Sequence, residues 1–504
     1  WPRQLAPSTE LDTDDDAMAP PSVGGAIACR ARTMWHPRRG LANPWRRLWA
    51  VTRVATAMGR GAAFAASSRF PSEARRGAPL PWVWAAAALA GVATGVAAAL
   101  SWPLALGSSA VLLVVYAFVR SGVWAEVVVA LYWLAFSVYQ TILADAAITI
   151  EGFFYPFYAS FALTVAIALA RGRLRLDPRT AWLYVSFLVV VLGSFVGFDR
   201  PVDFFVIQRV FAYVFGFLLL LQVGSRAGLA PIATAAAGTG LVLSGWVIGN
   251  AAAGGFDYRG DIDADPNLTA FIVGLGIVTV LARLAFGTDG RPLARTGLLL
   301  LLGVMVYASL LLASRGMFIA LGLATLVVLA RVAVQAPRRL LWLALVVPLA
   351  AAAMLLPGGA SLVERFEGES VETGGSRTPI WEMTLEAFTT GSPLAAMLGR
   401  GFKSSETVVQ QRYGYLTSVH NAYLQVLYEF GIVGLSLFLA LHARLVRIAW
   451  RLGNAYGGMA LGMVAMLLGA NLSADAPDGF MYWTALGFVA AACLWGARPN
   501  GAAT

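Results

Sequence analysis

Charge is scarce in this chain: 13% of its 504 residues are Asp, Glu, Lys or Arg, roughly half the ~25% of an ordinary soluble protein. With 59% hydrophobic residues and a mean hydropathy of +0.70, a water-soluble fold is excluded. A soluble core cannot hide many separate stretches of about 20 apolar residues, each long enough to cross a bilayer. Cysteine is almost missing: Cys29 and Cys493 alone exclude a disulfide framework, a thiolate zinc site and a CxxC redox centre. The three histidines, His36, His420 and His442, are scattered, so there is no His-rich metal cluster. The motifs GxxxxGK[ST], GxSxG, HExxH and paired-helix ExxH are absent, which removes the chemistries that depend on them. Lysine occurs once, as Lys403, beside 36 arginines.

What is present is a basic, strongly apolar chain with a net charge of +10. The first 80 residues hold twelve arginines against six acidic residues, so +6 of the +10 sits in one tail. Most of the remainder falls in short loops between apolar runs, where basic residues orient membrane proteins. No nucleic-acid-binding motif accompanies the charge, so nucleic acid is not an expected partner. Residues 1–79, from the acidic patch Asp12–Asp16 to arginine pairs such as Arg38–Arg39 and Arg75–Arg76, have no apolar core and are expected to be a disordered cytoplasmic tail. Pro44 to Arg60, with Trp45, Trp49 and Val54 beside Arg46, Arg47 and Arg53, also suits a helix lying on the membrane.

From Leu80 the apolar segments come regularly, near 81–100, 103–119, 124–145, 152–170, 181–198, 204–224, 230–252, 267–286, 296–313, 316–334, 340–356, 422–446, 455–472 and 479–496. The expectation is an all-α, polytopic helical bundle of about 12–14 spans. Membrane helices occupy 80–356, a long loop 357–421, and further membrane helices 422–504. Arg171 to Arg179, Arg291 and Arg295, Arg338 and Arg339, and Arg444 to Arg451 fall on one side of a fourteen-span arrangement. Asp199 and Asp203, Asp257 to Asp265, and Asp475 with Asp478 fall on the other. Both termini are therefore expected in the cytoplasm and the long loop outside it. In that loop, Trp381, Leu385 and Phe388 have helical spacing and predict a short amphipathic helix resting on the membrane domain.

The residues able to do chemistry gather on the outer side. His420 closes the loop and opens a helix, and an imidazole there suits a general base near neutral pH; an ordinary capping histidine fits the same position. Arg259, Arg315, Arg377 and Arg400 lie outward, where positive-inside statistics disfavour arginine. Guanidinium forks suit phosphate, although pairing with Asp261, Asp263, Glu364 or Glu382, or snorkelling, would explain each singly. Arg209, Glu126, Asp145 and Glu429 are intramembrane charges of the kind that marks a transport path, and Arg209 also fits reaching out to headgroups. Ala/Gly-rich runs such as 84–99 read as close helix packing. Nothing in the residues argues for a metal or other cofactor.

His420–Asn421 followed by Gly431 and Gly434 resembles the signature of the O-antigen ligase and polymerase superfamily. RGDIDADPN, holding Arg259 and ending at Asn267, SRG at Ser314–Gly316, and SRTPIW with PLAAMLGRGF resemble its upstream elements in the same order. Together they cover about 260–440. Leu435, where ligases often have Thr, and Arg400 between Gly399 and Gly401 depart from the pattern. The resemblance implies a bacterial inner-membrane glycosyltransferase using no nucleotide sugar, metal or other cofactor, with its active site in the periplasm. Its donor would be an undecaprenyl-diphosphate-linked glycan, and its acceptor lipid A–core or another glycan. It further implies His420 as catalytic base, Arg259, Arg315, Arg377 and Arg400 as diphosphate ligands, and Asn267, Asn421, Gly431 and Gly434 as supporting positions. Superfamily polymerases often carry Arg-x₁₀-Gly elements in outer loops. No outer arginine here has glycine at that spacing, which favours the ligase. A protein O-glycosyltransferase would usually carry a longer C-terminal region. A transporter is the alternative from another class, although no internal repeat is visible.

Overall fold

A computed structural model describes residues between Ala162 and Gly496, excluding 196–203, 223–227, 254–265, 288–291, most of 345–376, 414–417 and a few isolated positions. The tail, its interfacial segment, the first four expected spans except part of the fourth, Glu126, Asp145 and Arg259 with its acidic neighbours lie outside the described residues. What is described is an all-α membrane protein, belonging to the unit Ala87–Thr504.

The long apolar helices are α1 (Pro178–Gly193), α2 (Phe204–Phe211), α3 (Leu229–Ala253), α4 (Pro266–Phe286), α5 (Pro292–Leu312) and α6 (Arg315–Gln335). Helices α7 (Thr378–Thr389), α8 (Pro393–Leu398) and α9 (Ser404–Tyr413) form the loop region, and α10 (Ala422–Arg451), α11 (Ala455–Ala470) and α12 (Phe480–Gly496) complete the bundle. Among the described residues, α3, α4, α5, α6 and α10 are long and apolar enough to cross a membrane. Helix α4 is buried almost all round from Thr269 to Phe286, Arg283 being the exposed exception, as its mostly apolar sequence requires. It is flanked by α3, α5, α6 and α11. Close approach there needs small residues: a Cβ on Gly276 would lie 3.0 Å from the Gly240 Cα.

Two interruptions shape the bundle. After α2 the chain passes through a π-helical turn, Ala212–Gly216, which loosens backbone carbonyls. The Tyr184 hydroxyl collects two of them, at 2.6 Å from the Tyr213 oxygen and 3.0 Å from that of Val214. The second lies in α10, expected from sequence as one continuous span. At Gly431 the backbone turns to φ 68°, ψ −171°, dividing the helix into 422–430 and a longer remainder. The carbonyls released at the break are met by the 399–401 segment: Arg400 N–H donates to the Tyr428 oxygen at 3.0 Å, and Gly401 N–H to the Glu429 oxygen at 3.1 Å. Gly399 and Gly431 both have positive φ, and a Cβ on either would strike the backbone of the opposite segment. A Cβ on Gly434 would press on the Phe430 side chain. The Gly431–Gly434 spacing thus permits both the break and the fold-back of Phe430.

The basic ends of the helices meet at the opposite end of the bundle. Asp177 caps α1 through Thr180 N–H at 3.0 Å and receives Arg444 Nε at 3.0 Å. Arg331 donates to the Ala449 oxygen at 2.7 Å, and Arg339 to that of Ala285 at 2.8 Å. Burial tends to raise the Asp177 carboxyl, but Arg444 and the Thr180 donors outweigh it and hold the group below its ordinary value.

Helix α7 matches the amphipathic helix expected over Arg377–Thr390, with a correction to its buried face. Leu385 is 47% exposed; the buried side carries Ile380 and Thr384. The helix turns this way because Ile380 packs with Val409 and Val419, and the Trp381 indole donates to the Val419 oxygen at 2.9 Å.

Gly431→Ala is expected to lower the thermal midpoint in detergent, by strain of about 1–3 kcal/mol at positive φ plus the clash. Gly303→Ala, whose Cβ would meet open space, should hold or raise it. Intrinsic fluorescence melting measures both. A lowered carboxyl stabilises above its unfolded value, about pH 4, and loses that contribution as pH falls through the folded value. The stability difference between wild type and Asp177→Asn should therefore shrink below about pH 4 in the same assay.

Candidate active site

Part of the expected site gathers at one short turn, Asn471–Ser473, at the C-terminal end of α11. Ala422 N–H, at the start of α10, donates to the Asn471 oxygen at 2.9 Å. Arg377, preceding α7, donates to the Ser473 oxygen at 2.6 Å. Gly316, the second residue of α6, lies so close to Ser473 that a Cβ would overlap its side chain, which places Arg315 beside the same turn. Ser314, just before α6, donates to Asn267 Oδ1 at 2.7 Å, adding the start of α4. The starts of α6 and α10 therefore lie at this turn, that of α4 is joined to it through Ser314, and the Arg377 side chain reaches it from the start of α7. Arg377 brings its guanidinium to the turn, and Arg315 is the first residue of the helix that begins beside it.

His420 sits at the opening of α10 with φ 54°, a left-handed conformation that is strained for a non-glycine residue and concentrates at functional positions. Its Nδ1 lies 3.1 Å from Ser418 Oγ. Asn421 follows as the helix cap, its Oδ1 accepting from Tyr423 and Leu424 N–H, both at 3.1 Å. These contacts fix the backbone on either side of the imidazole.

Arg400 is engaged differently. Its guanidinium donates to the Ala387 carbonyl and lies 5.1 Å from the Tyr428 ring centroid, tying α7 to the break in α10. Arg259 lies outside the described residues. Among the described residues no group of three or more His, Cys, Asp or Glu is placed to hold a metal.

Arg209 does not snorkel: its side chain is 3% exposed and enclosed by carboxylates. It contacts Glu429 at 3.0 Å, Asp478 closely and Glu406 at 3.9 Å, and its guanidinium lies 4.8 Å from the Phe402 ring centroid. Ser405 donates to the second Glu429 oxygen at 2.6 Å, and Gln425 to Asp478 at 2.9 Å. Sequence reasoning found Arg209 and Glu429 separately and read Asp478 as loop charge; their pairing joins positions up to 269 residues apart. It missed Asn471 and Ser473 altogether. An Asn at the end of an apolar run, in ANLSAD, was the available signal. Asn471 is fully buried and donates to the Tyr482 hydroxyl at 2.9 Å, which in turn lies 2.6 Å from His442 Nε2.

The architecture is that of a multi-pass helical membrane protein whose polar, arginine-bearing site occupies one end of the bundle. Residues 298–439 match the family model described as O-antigen ligase. The match covers 142 of the 504 residues and supports, for that stretch, a relation to the O-antigen ligase and polymerase superfamily. Comparison with curated proteins gives no match. The matched stretch runs from α5 into α10 and includes Arg315, Arg377, Arg400, His420, Gly431 and Gly434. Arg209, Asn471 and Asp478 lie beyond it.

Asn421→Ala should cost about 1 kcal/mol through loss of the cap, whereas Asn421→Asp retains most of it. Thermal unfolding of the purified variants checks this.

Proposed function

We propose that the protein transfers a glycan from undecaprenyl diphosphate to an acceptor hydroxyl on the periplasmic face of the bacterial inner membrane, most simply as an O-antigen ligase acting on lipid A–core. The observation that carries this reading is the approach to the 471–473 turn of the Arg377 guanidinium, the start of α6 with Arg315, and the start of α10 just after His420. Such a place favours a doubly charged diphosphate over any neutral ligand. Arg315 and Arg377 stabilise the charge that grows on the leaving diphosphate as its glycosidic bond breaks. Arg259, from the segment before α4, is assigned the same role. Arg400 serves by holding α7 against α10. His420 takes the proton from the acceptor hydroxyl, and Ser418 orients its ring. General-base assistance of this kind contributes about 10²–10⁴-fold.

The basic helix ends at the opposite pole support a cytoplasmic assignment for that side, and with it a periplasmic one for the site. Burial of Arg209 among three carboxylates supports a structural role for this charge.

Purified protein reconstituted with undecaprenyl-diphosphate oligosaccharide and lipid A–core tests the proposal by gel and mass spectrometry. Glycan arriving on lipid A–core with wild type, and falling by at least about 10²-fold in His420→Ala, is the expected result. Longer chains retained on the carrier would make the enzyme a polymerase. An intact donor with glycan and peptide acceptors alike would overturn the enzymatic reading. Arg315→Ala should raise the donor KM more than the acceptor KM; an unchanged donor dependence would contradict its assigned role.

A further inference from the structure

The segment 422–430 is a helix of two and a half turns cut off from the rest of α10 by the Gly431 break, so its orientation is not inherited from the longer helix below. Its capping residue Asn421 and the side chains of Gln425 and Glu429 are spaced by four and share one face. Both lower positions are sealed, Gln425 at 1% and Glu429 at 0% exposure, yet both are polar. Gln425 donates to Asp478 Oδ2 at 2.9 Å, while Glu429 meets Arg209 at 3.0 Å. Arg209 also binds Asp478, so one guanidinium closes both attachments. The remaining Glu429 oxygen takes the Ser405 hydroxyl at 2.6 Å, which anchors α9 to the same point.

Apolar packing alone tolerates sliding and rotation of so short a helix. Directional contacts at two successive turns do not, because a shift of one residue swings each polar group about 100° away from its partner. The Arg209–Glu429 contact is sealed, where an unmatched charge has no water to turn to.

The geometry points to Arg209 as a positioning residue for the site: through Glu429, and through Asp478 with Gln425, it sets the rotation and height of 422–430 and thereby where the His420 imidazole is presented. Arg209 has no assigned contact with substrate. It lies in α2, far in sequence from the matched ligase domain, and its partner Asp478 lies in the turn before α12. The inference rests on the proposed transfer reaction for its kinetic consequence, but its structural part stands apart from that reaction.

Hydrogen exchange on full-length protein in nanodiscs, combined with transfer kinetics, tests it. Arg209→Gln should speed exchange of the 421–430 amides by at least about tenfold while α11 amides stay unchanged. It should lower kcat by at least about tenfold with the donor KM within about twofold, since the arginines at the diphosphate keep their places. Arg209→Lys should recover part of both effects. Asp478→Asn, the milder variant, should show the same selective signature more weakly and decides the matter if Arg209→Gln does not fold. Exchange at 421–430 that stays at the wild-type rate, or that rises equally throughout the bundle, would overturn the positioning role. If wild type transfers no glycan at all, the function reading fails while the exchange result still decides this one.

Discussion

A guanidinium sealed inside a membrane bundle is tolerable only when its charge is answered within the protein, because removing one partner of a buried ion pair costs about 3–5 kcal/mol. Arg209 meets that condition by drawing together Glu429 from α10, Asp478 from the turn before α12 and Glu406 from the loop helix α9. Three parts of the chain that share no sequence proximity are held in register by this one side chain. The aromatic packing around it follows: Phe402 lies under the guanidinium, and Phe187, Tyr213, Phe430 and Trp483 fill the space beside the break in α10.

The break leaves 422–430 as a short helix with His420 just before it, held by the loop that packs against its end. Gly431 lets the chain turn, and Gly399 and Arg400 occupy the opening with their backbone. The loop from 377 to 413 thus becomes part of the wall of the site, joined to it also by the Arg377 bond to Ser473 and the Trp381 bond to Val419. Helices α6 and α10 begin beside the 471–473 turn, the first amides of α10 being bonded to the Asn471 carbonyl and the Asn421 side chain. A diphosphate is bound best where N–H groups and guanidinium forks act together.

Much of the fold was legible in the sequence. Spans such as 230–252, 267–286 and 316–334 are observed within a few residues, because long apolar runs leave the backbone no alternative to helix. The break at Gly431 was not legible, since a single glycine in an apolar run usually continues a helix. Its meaning depends on Gly399, a residue from a separate loop. The face of α7 was misjudged because hydrophobic spacing nominates candidates, whereas Ile380, Val409 and Val419 decide which of them is covered. His420, Arg315 and Arg377 were legible by chemistry and motif; Asn471 and Ser473 act largely through backbone carbonyls, which sequence does not distinguish. Arg209 was conspicuous, but its partners are fixed only by tertiary pairing.

The central claim is that a lipid-linked diphosphate binds at the 471–473 turn. Photo-crosslinking with a polyprenyl-diphosphate analogue carrying a reactive group near the phosphates, followed by peptide mapping, tests it most directly. The account predicts labelled peptides around Arg315, Arg377 and Ser473, with competition by unlabelled donor. Labelling confined to the opposite basic pole, around Arg338 or Arg447, would contradict it.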